Sequence, residues 1–211
     1  NNPPKESGMI TIEPHRTALL VMDFQSEVVT MLGERAAAAL ERVGGLIAAA
    51  RKANVPIIYI VVGFRPGYPE LNPRNASFAA VAHSGRFVGA TPGAEVAAAI
   101  RPVEGDVVVV KHRVSAFAGT DLEMILRAKA IDTLVLCGIA TSGVVLSTAR
   151  HAADADYRLV VLLRRPRRRG APGPDGKGLR SPGDGDLGQR AHGRARPGLR
   201  SLPERWPMAT F

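Results

Sequence analysis

Five short runs rich in Val, Ile and Leu, at residues 17–22, 56–62, 106–110, 133–137 and 158–163, constrain this chain more than any other feature. They are apolar nearly throughout, without the alternation of a half-solvated strand, and so read as strands buried on both faces. The stretches between them have helical spacing. Residues 34–53 place Leu40, Val43, Ile47 and Ala50 on one face. Residues 121–130 follow Thr120 as a predicted N-cap, with Glu123 completing a capping box. Residues 142–154 align Val145, Leu146, Ala149 and Ala152. Strands alternating with helices predict an α/β fold, a Rossmann-like three-layer sandwich with a mostly parallel sheet flanked by helices. Residues 63–92, rich in Gly, Pro and Asn, read as a long irregular loop, of the kind that forms a lid or part of a subunit interface.

The net charge of +9 is concentrated at one end. Residues 164–211 hold eleven Arg and one Lys against Asp175, Asp184, Asp186 and Glu204, together with nine Gly and seven Pro. The chain therefore divides into a near-neutral domain, 1–163, and an Arg/Gly/Pro-rich irregular tail, 164–211. A tail of this composition reads as a disordered basic extension or an RNA-binding arm, but the near-neutral domain gives no reason to expect a nucleic-acid partner. The lone Cys137 excludes an intrachain disulfide. The first eight residues lack a signal-peptide pattern, and no apolar run approaches the roughly 20 residues of a membrane helix. The expectation is a cytoplasmic protein with no membrane partner.

Ligands of open parallel sheets bind beyond the carboxyl ends of the strands. There the first run delivers Asp23, the third Lys111, and the fourth a small-residue turn from Gly138 to Val144. Taken singly, each has an ordinary reading: a turn former, a solvated charge, a tight turn. Gly138 and Gly143 lack the Lys-Ser/Thr of a phosphate loop. Cys137 lies inside a strand, where cysteine packs as a small apolar group. His15, His83, His112, His151 and His192 show no ligand spacing with carboxylates, so neither a metal nor another cofactor is expected.

Taken together, Asp23-Phe24-Gln25, the run from Lys111 to Phe117 and the run from Gly138 to Val144 resemble the isochorismatase-like (cysteine hydrolase) superfamily over residues 17–163. The resemblance implies a small-molecule substrate and a homo-oligomer, dimer or tetramer. It assigns Asp23 as acid/base with Lys111 as its cationic partner, and Phe24, Arg65, Arg113 and Phe117 to substrate binding, the two arginines as anion-binding charges. It also implies a cis peptide between Ile139 and Ala140, aiming the N–H groups of Ala140 and Val144 into an oxyanion hole. The family's nucleophilic cysteine lies six residues after Gly138, and Val144 stands there. The Asp-x-His metal motif of nicotinamidases is missing from Val61-Val62-Gly63-Phe64-Arg65. Isochorismatases also lack the cysteine and carry a smaller glycine near that position. They hydrolyse an enol ether, a reaction that needs a protonated carboxyl and water. The expectation is hydrolysis by Asp23 and Lys111 without cysteine; the alternative is an inactive member of the fold acting as a binding module or degenerate paralogue.

The break at Leu163 suggests that the tail is translated out of frame. Shifting the codons of residues 182–186 forward by one base can spell Gln-Ala-Thr-Val-Thr, similar to the final-strand region of the family. A natural divergent tail is the alternative. The gene sequence decides: a shifted frame with an early stop, or one encoding no helix and strand, excludes the frameshift.

Overall fold

The chain alternates strand and helix throughout the computed structural model, which describes residues 12–162. The tail at 164–211 and its out-of-frame reading lie outside the described residues. In chain order come β1 (Thr17–Met22), α1 (Ser26–Met31), α2 (Ala36–Lys52), β2 (Ile57–Val62), α3 (Ala76–Ser84), β3 (Val107–Lys111), α4 (Leu122–Ala128), β4 (Thr133–Gly138), α5 (Leu146–Asp154) and β5 (Arg158–Val161). The five strands form one sheet in the order β3-β2-β1-β4-β5, with every pairing parallel. The chain builds outward from β1 to β3 and then crosses to β4 on the other side of β1. In open parallel sheets ligands bind at such a reversal, here at the carboxyl ends of β1 and β4.

Successive side chains of the central strands feed two cores. Leu19, Val21, Tyr59 and Cys137 pack beneath Val43, Ile47 and Ala50 of α2. Leu20, Met22, Ile58, Ile60 and Leu136 pack on the other face against Leu122 and Leu126 of α4 and Val144, Val145 and Ala152 at α5. Each such burial contributes about 1.5–3 kcal/mol, which makes the alternation of faces the main determinant of register.

Several local expectations are corrected. The third run is an edge strand, not one covered on both faces: Val108 and Val110 are 47% and 48% exposed. The stretch at 63–92 is not irregular throughout, because it contains α3. Asn75 caps that helix by accepting from Phe78 N–H, and Gly85 closes it at φ 68°, a Gly-favoured left-handed stop. The capping box at α4 does not form. The Thr120 hydroxyl donates to the Ala116 carbonyl and accepts from Leu122 N–H, while Glu123 reaches forward to Arg127. On α5 it is Thr148, not Leu146, that turns inward. Leu146 sits about 100° around the helix from Val145 and faces solvent.

At the amino ends of β1, β4 and β5, Asp132 accepts from both Arg16 and Arg158 and from the Thr133 hydroxyl at 2.8 Å. Arg16 above all, and then Thr133, hold its carboxyl well below the usual carboxylate range. A depressed folded pKa adds stability above the unfolded value near 4 and loses it as pH falls below that. Asp132→Asn is expected to cost about 1 kcal/mol at pH 7, since the partners are partly exposed. Urea unfolding at pH 7 and pH 3 should show the gap between parent and variant narrowing at the lower pH.

Candidate functional site

Asp23 leaves β1 with φ 60°, a left-handed conformation that costs a non-glycine residue about 1 kcal/mol or more. The cost is borne locally by hydrogen bonds on either side. Asp23 N–H donates to the Ile60 carbonyl at 2.8 Å. Two residues on, the fully buried Gln25 amide donates to the Val62 and Ala94 carbonyls and accepts from Val62 N–H, all at 2.8 Å. Gln25 thus ties the exits of β1 and β2 to the segment at residue 94. It is a structural support beneath the Asp23–Lys111 pair that the sequence alone left without a role, although the Asp-Phe-Gln motif contains it.

Lys111 ends β3, two strands from β1. Its side chain crosses the end of β2 and places Nζ 3.1 Å from Asp23 Oδ2, with a second bond to the Arg113 carbonyl at 3.2 Å. Lys111 is 2% exposed. The other carboxylate oxygen, Asp23 Oδ1, is buried and has no partner among the described residues. Burial pushes the Asp23 carboxyl up to about 6 against the opposing pull of the Lys111 charge and hydrogen bond. The pair therefore combines a buried carboxyl raised from its ordinary value with a buried cation on one of its two oxygens.

The third wall is the turn after β4. Gly138 is required there: a Cβ would lie 2.9 Å from Met22 Cβ and 3.1 Å from Val145 Cγ2. The Ile139–Ala140 peptide is cis, the geometry the resemblance implies. Ala140 precedes a π-helical turn, Thr141–Val145, that leads into α5. Val144 within that turn is 3% exposed and packs in the core shared with α4. Thr148 on α5 accepts from Ala116 N–H at 3.0 Å, fixing the segment after Lys111 to the same helix.

The structure brings Asp23 and Lys111 together but engages the side chains of Phe24, Phe117, Arg65 and Arg113 in other contacts. Phe24 is buried in the core beneath α2. Phe117 stacks on His151 with ring centres 4.9 Å apart. Arg65 pairs with Glu70 at 2.9 Å and is otherwise exposed. Arg113 donates to the His112 and Glu70 carbonyls at 2.7 and 3.1 Å. Cys137 is fully buried mid-strand, with its thiol donating to the Leu20 carbonyl, and burial pushes that thiol well above its usual range. Among the described residues no three His, Cys, Asp or Glu side chains converge as a metal site, and no helix is long and apolar enough to cross a membrane.

Comparison with known proteins agrees with this architecture. The family model described as the isochorismatase domain matches residues 17–163. An uncharacterized isochorismatase family protein, YecD, of Escherichia coli O157:H7 is 34% identical over 155 residues, covering 72% of this chain and 80% of the relative. Among solved structures, a cysteine hydrolase from Pseudomonas syringae pv. phaseolicola superposes with a TM-score of 0.66 at 30% identity, covering 72% of each chain. An N-carbamoylsarcosine amidase from Thermoplasma acidophilum superposes with a TM-score of 0.59 at 34% identity, covering 70% of this chain and 81% of the other.

Proposed function

Because the chain belongs to the isochorismatase domain family, we propose that it is a hydrolase of small, carboxylate-bearing molecules whose chemistry is run by Asp23 and Lys111 without a cysteine nucleophile. One observation carries the reading: a buried carboxyl with a midpoint at about 6, paired to a buried ammonium, with one oxygen unpartnered. An acyl-enzyme route lacks its nucleophile. Val144 has no group that attacks a carbonyl, and the Cys137 thiol is buried and held protonated.

A protonated Asp23 suits an enol ether. The acid gives its proton to the terminal vinyl carbon, and the neighbouring carbon, stabilised by the ether oxygen, takes up water. The resulting carboxylate recovers a proton from that water. The hemiketal then breaks its C–O bond as its hydroxyl proton passes to the leaving oxygen, releasing an alcohol and a keto acid, so protons and electrons balance without a cofactor. Lys111 orients the acid and binds the substrate's carboxylate, while the Ala140 and Val144 N–H groups are assigned to the leaving oxygen, where negative charge develops as the hemiketal C–O bond breaks.

The test is turnover of a panel of vinyl-ether carboxylates beside a panel of primary amides and N-carbamoyl acids, before and after treatment with iodoacetamide. Turnover of the vinyl ethers that survives alkylation supports the proposal. Hydrolysis of amides alone, abolished by alkylation of Cys137 and protected by substrate, overturns it.

A further inference from the structure

Arg113, an exposed residue, carries a charge two residues from Lys111 and directs it to groups of the protein. One guanidinium nitrogen donates to the His112 carbonyl at 2.7 Å and another to the Glu70 carbonyl at 3.1 Å. The group also lies 5.7 Å from the centre of the Phe78 ring on α3, within cation–π range. Phe78 in turn packs edge-on against Phe64, with ring centres 6.1 Å apart. Phe64 lies 5.9 Å from the ring of His112, whose Nδ1 is 2.5 Å from the Gly63 carbonyl. The segment closes on itself at its base: Phe64 N–H donates to the Phe87 carbonyl and Gly89 N–H to the Phe64 carbonyl. Arg113 thus contacts two carbonyls and a ring through its side chain, and its own carbonyl accepts from Lys111 Nζ.

We infer that Arg113 is a positioning residue: its guanidinium locks the backbone at 113 to the segment spanning residues 64–88, and its carbonyl thereby holds the Lys111 ammonium on Asp23. The side chain does not meet the substrate; it fixes the second acceptor of the ammonium. Without that anchor the carbonyl at 113 drifts, Lys111 samples other rotamers, and Asp23 loses part of the cation that favours its ionised form. The inference rests on Asp23 and Lys111 being the working pair.

The test needs no substrate. Carbon-13 NMR of the Asp carboxylates in the full chain, with Asp23 assigned by its disappearance in Asp23→Asn, gives the Asp23 midpoint directly. Arg113→Met is expected to raise it by about half a pH unit or more. Phe78→Leu, which removes the ring but leaves Arg113, should raise it less, and Arg113→Lys should fall between parent and Met because an ammonium cannot bridge both carbonyls and the ring. An unchanged or lowered midpoint in Arg113→Met and Phe78→Leu overturns the inference. If Arg113→Met does not fold, Phe78→Leu carries the decision alone. A parent midpoint in the ordinary carboxylate range near 4 instead overturns the acid role of Asp23, so the two failures are separable.

Discussion

Asp23→Asn is expected to lower turnover of any substrate by about a thousandfold while leaving the fold in place. The amide has nearly the shape of the acid and still offers Lys111 an acceptor oxygen at the Oδ2 position, 3.1 Å from Nζ in the parent. It has no acidic proton, so the step assigned to Asp23 has no donor. The fold should tolerate the change because the parent's carboxyl, with its midpoint raised to about 6, is already an unfavourable buried anion at pH 7. The pH profile of the parent makes the same point. With Asp23 as the acid, kcat/KM falls about tenfold per pH unit above 6 as the protonated fraction declines. An Asn variant retaining a tenth of the parent's turnover, or a parent profile flat from pH 5 to 8, defeats the role.

Three strand ends made this site legible in the sequence. An apolar run that ends on Asp23, another that ends on Lys111, and a turn opening with Gly138 are local features. A parallel sheet brings such ends together by topology alone. What stayed hidden depends on contacts distant in sequence. The role of Gln25 exists only because Val62 and Ala94 come to it. Thr148 looks polar on a helical wheel, yet it is buried because Ala116 N–H needs an acceptor. Arg113 looks like a ligand for anions until Glu70 and Phe78 fold over it. The helix α3 is a different case. Asn75 and Gly85 mark its two ends in the sequence as a cap and a left-handed stop, and the surrounding Gly and Pro residues obscured them. The exposed face of β3 was illegible for a plain reason: a run of four valines reads the same in the centre of a sheet and at its edge.

Lys111→Met should cost up to about 2.7 kcal/mol of stability at pH 8, two pH units above the parent's Asp23 midpoint of about 6. Methionine fills a similar volume, so the loss is electrostatic. The substitution leaves Asp23 buried with Oδ1 already unpartnered and Oδ2 deprived of its 3.1 Å contact. Such a carboxylate escapes by taking up a proton, which moves its midpoint in the folded state above the parent's value of about 6. The unfolded chain keeps the ordinary value near 4. A folded pKa above the unfolded one means that stability is fully present below pH 4 and is lost as pH rises through the folded midpoint. The parent shares that loss up to its own midpoint, so the variant should match the parent up to about pH 6 and fall progressively behind it from there to pH 8, as read from urea midpoints. Adding Asp23→Asn to Lys111→Met removes the stranded charge, and the double variant should recover most of the loss at pH 8. A deficit that does not change with pH, or a double variant no more stable than Lys111→Met, would mean that the pair is not electrostatically coupled in the fold. The coupling links stability to the proposed chemistry, since the desolvation that raises the Asp23 carboxyl is the same one that Lys111 opposes.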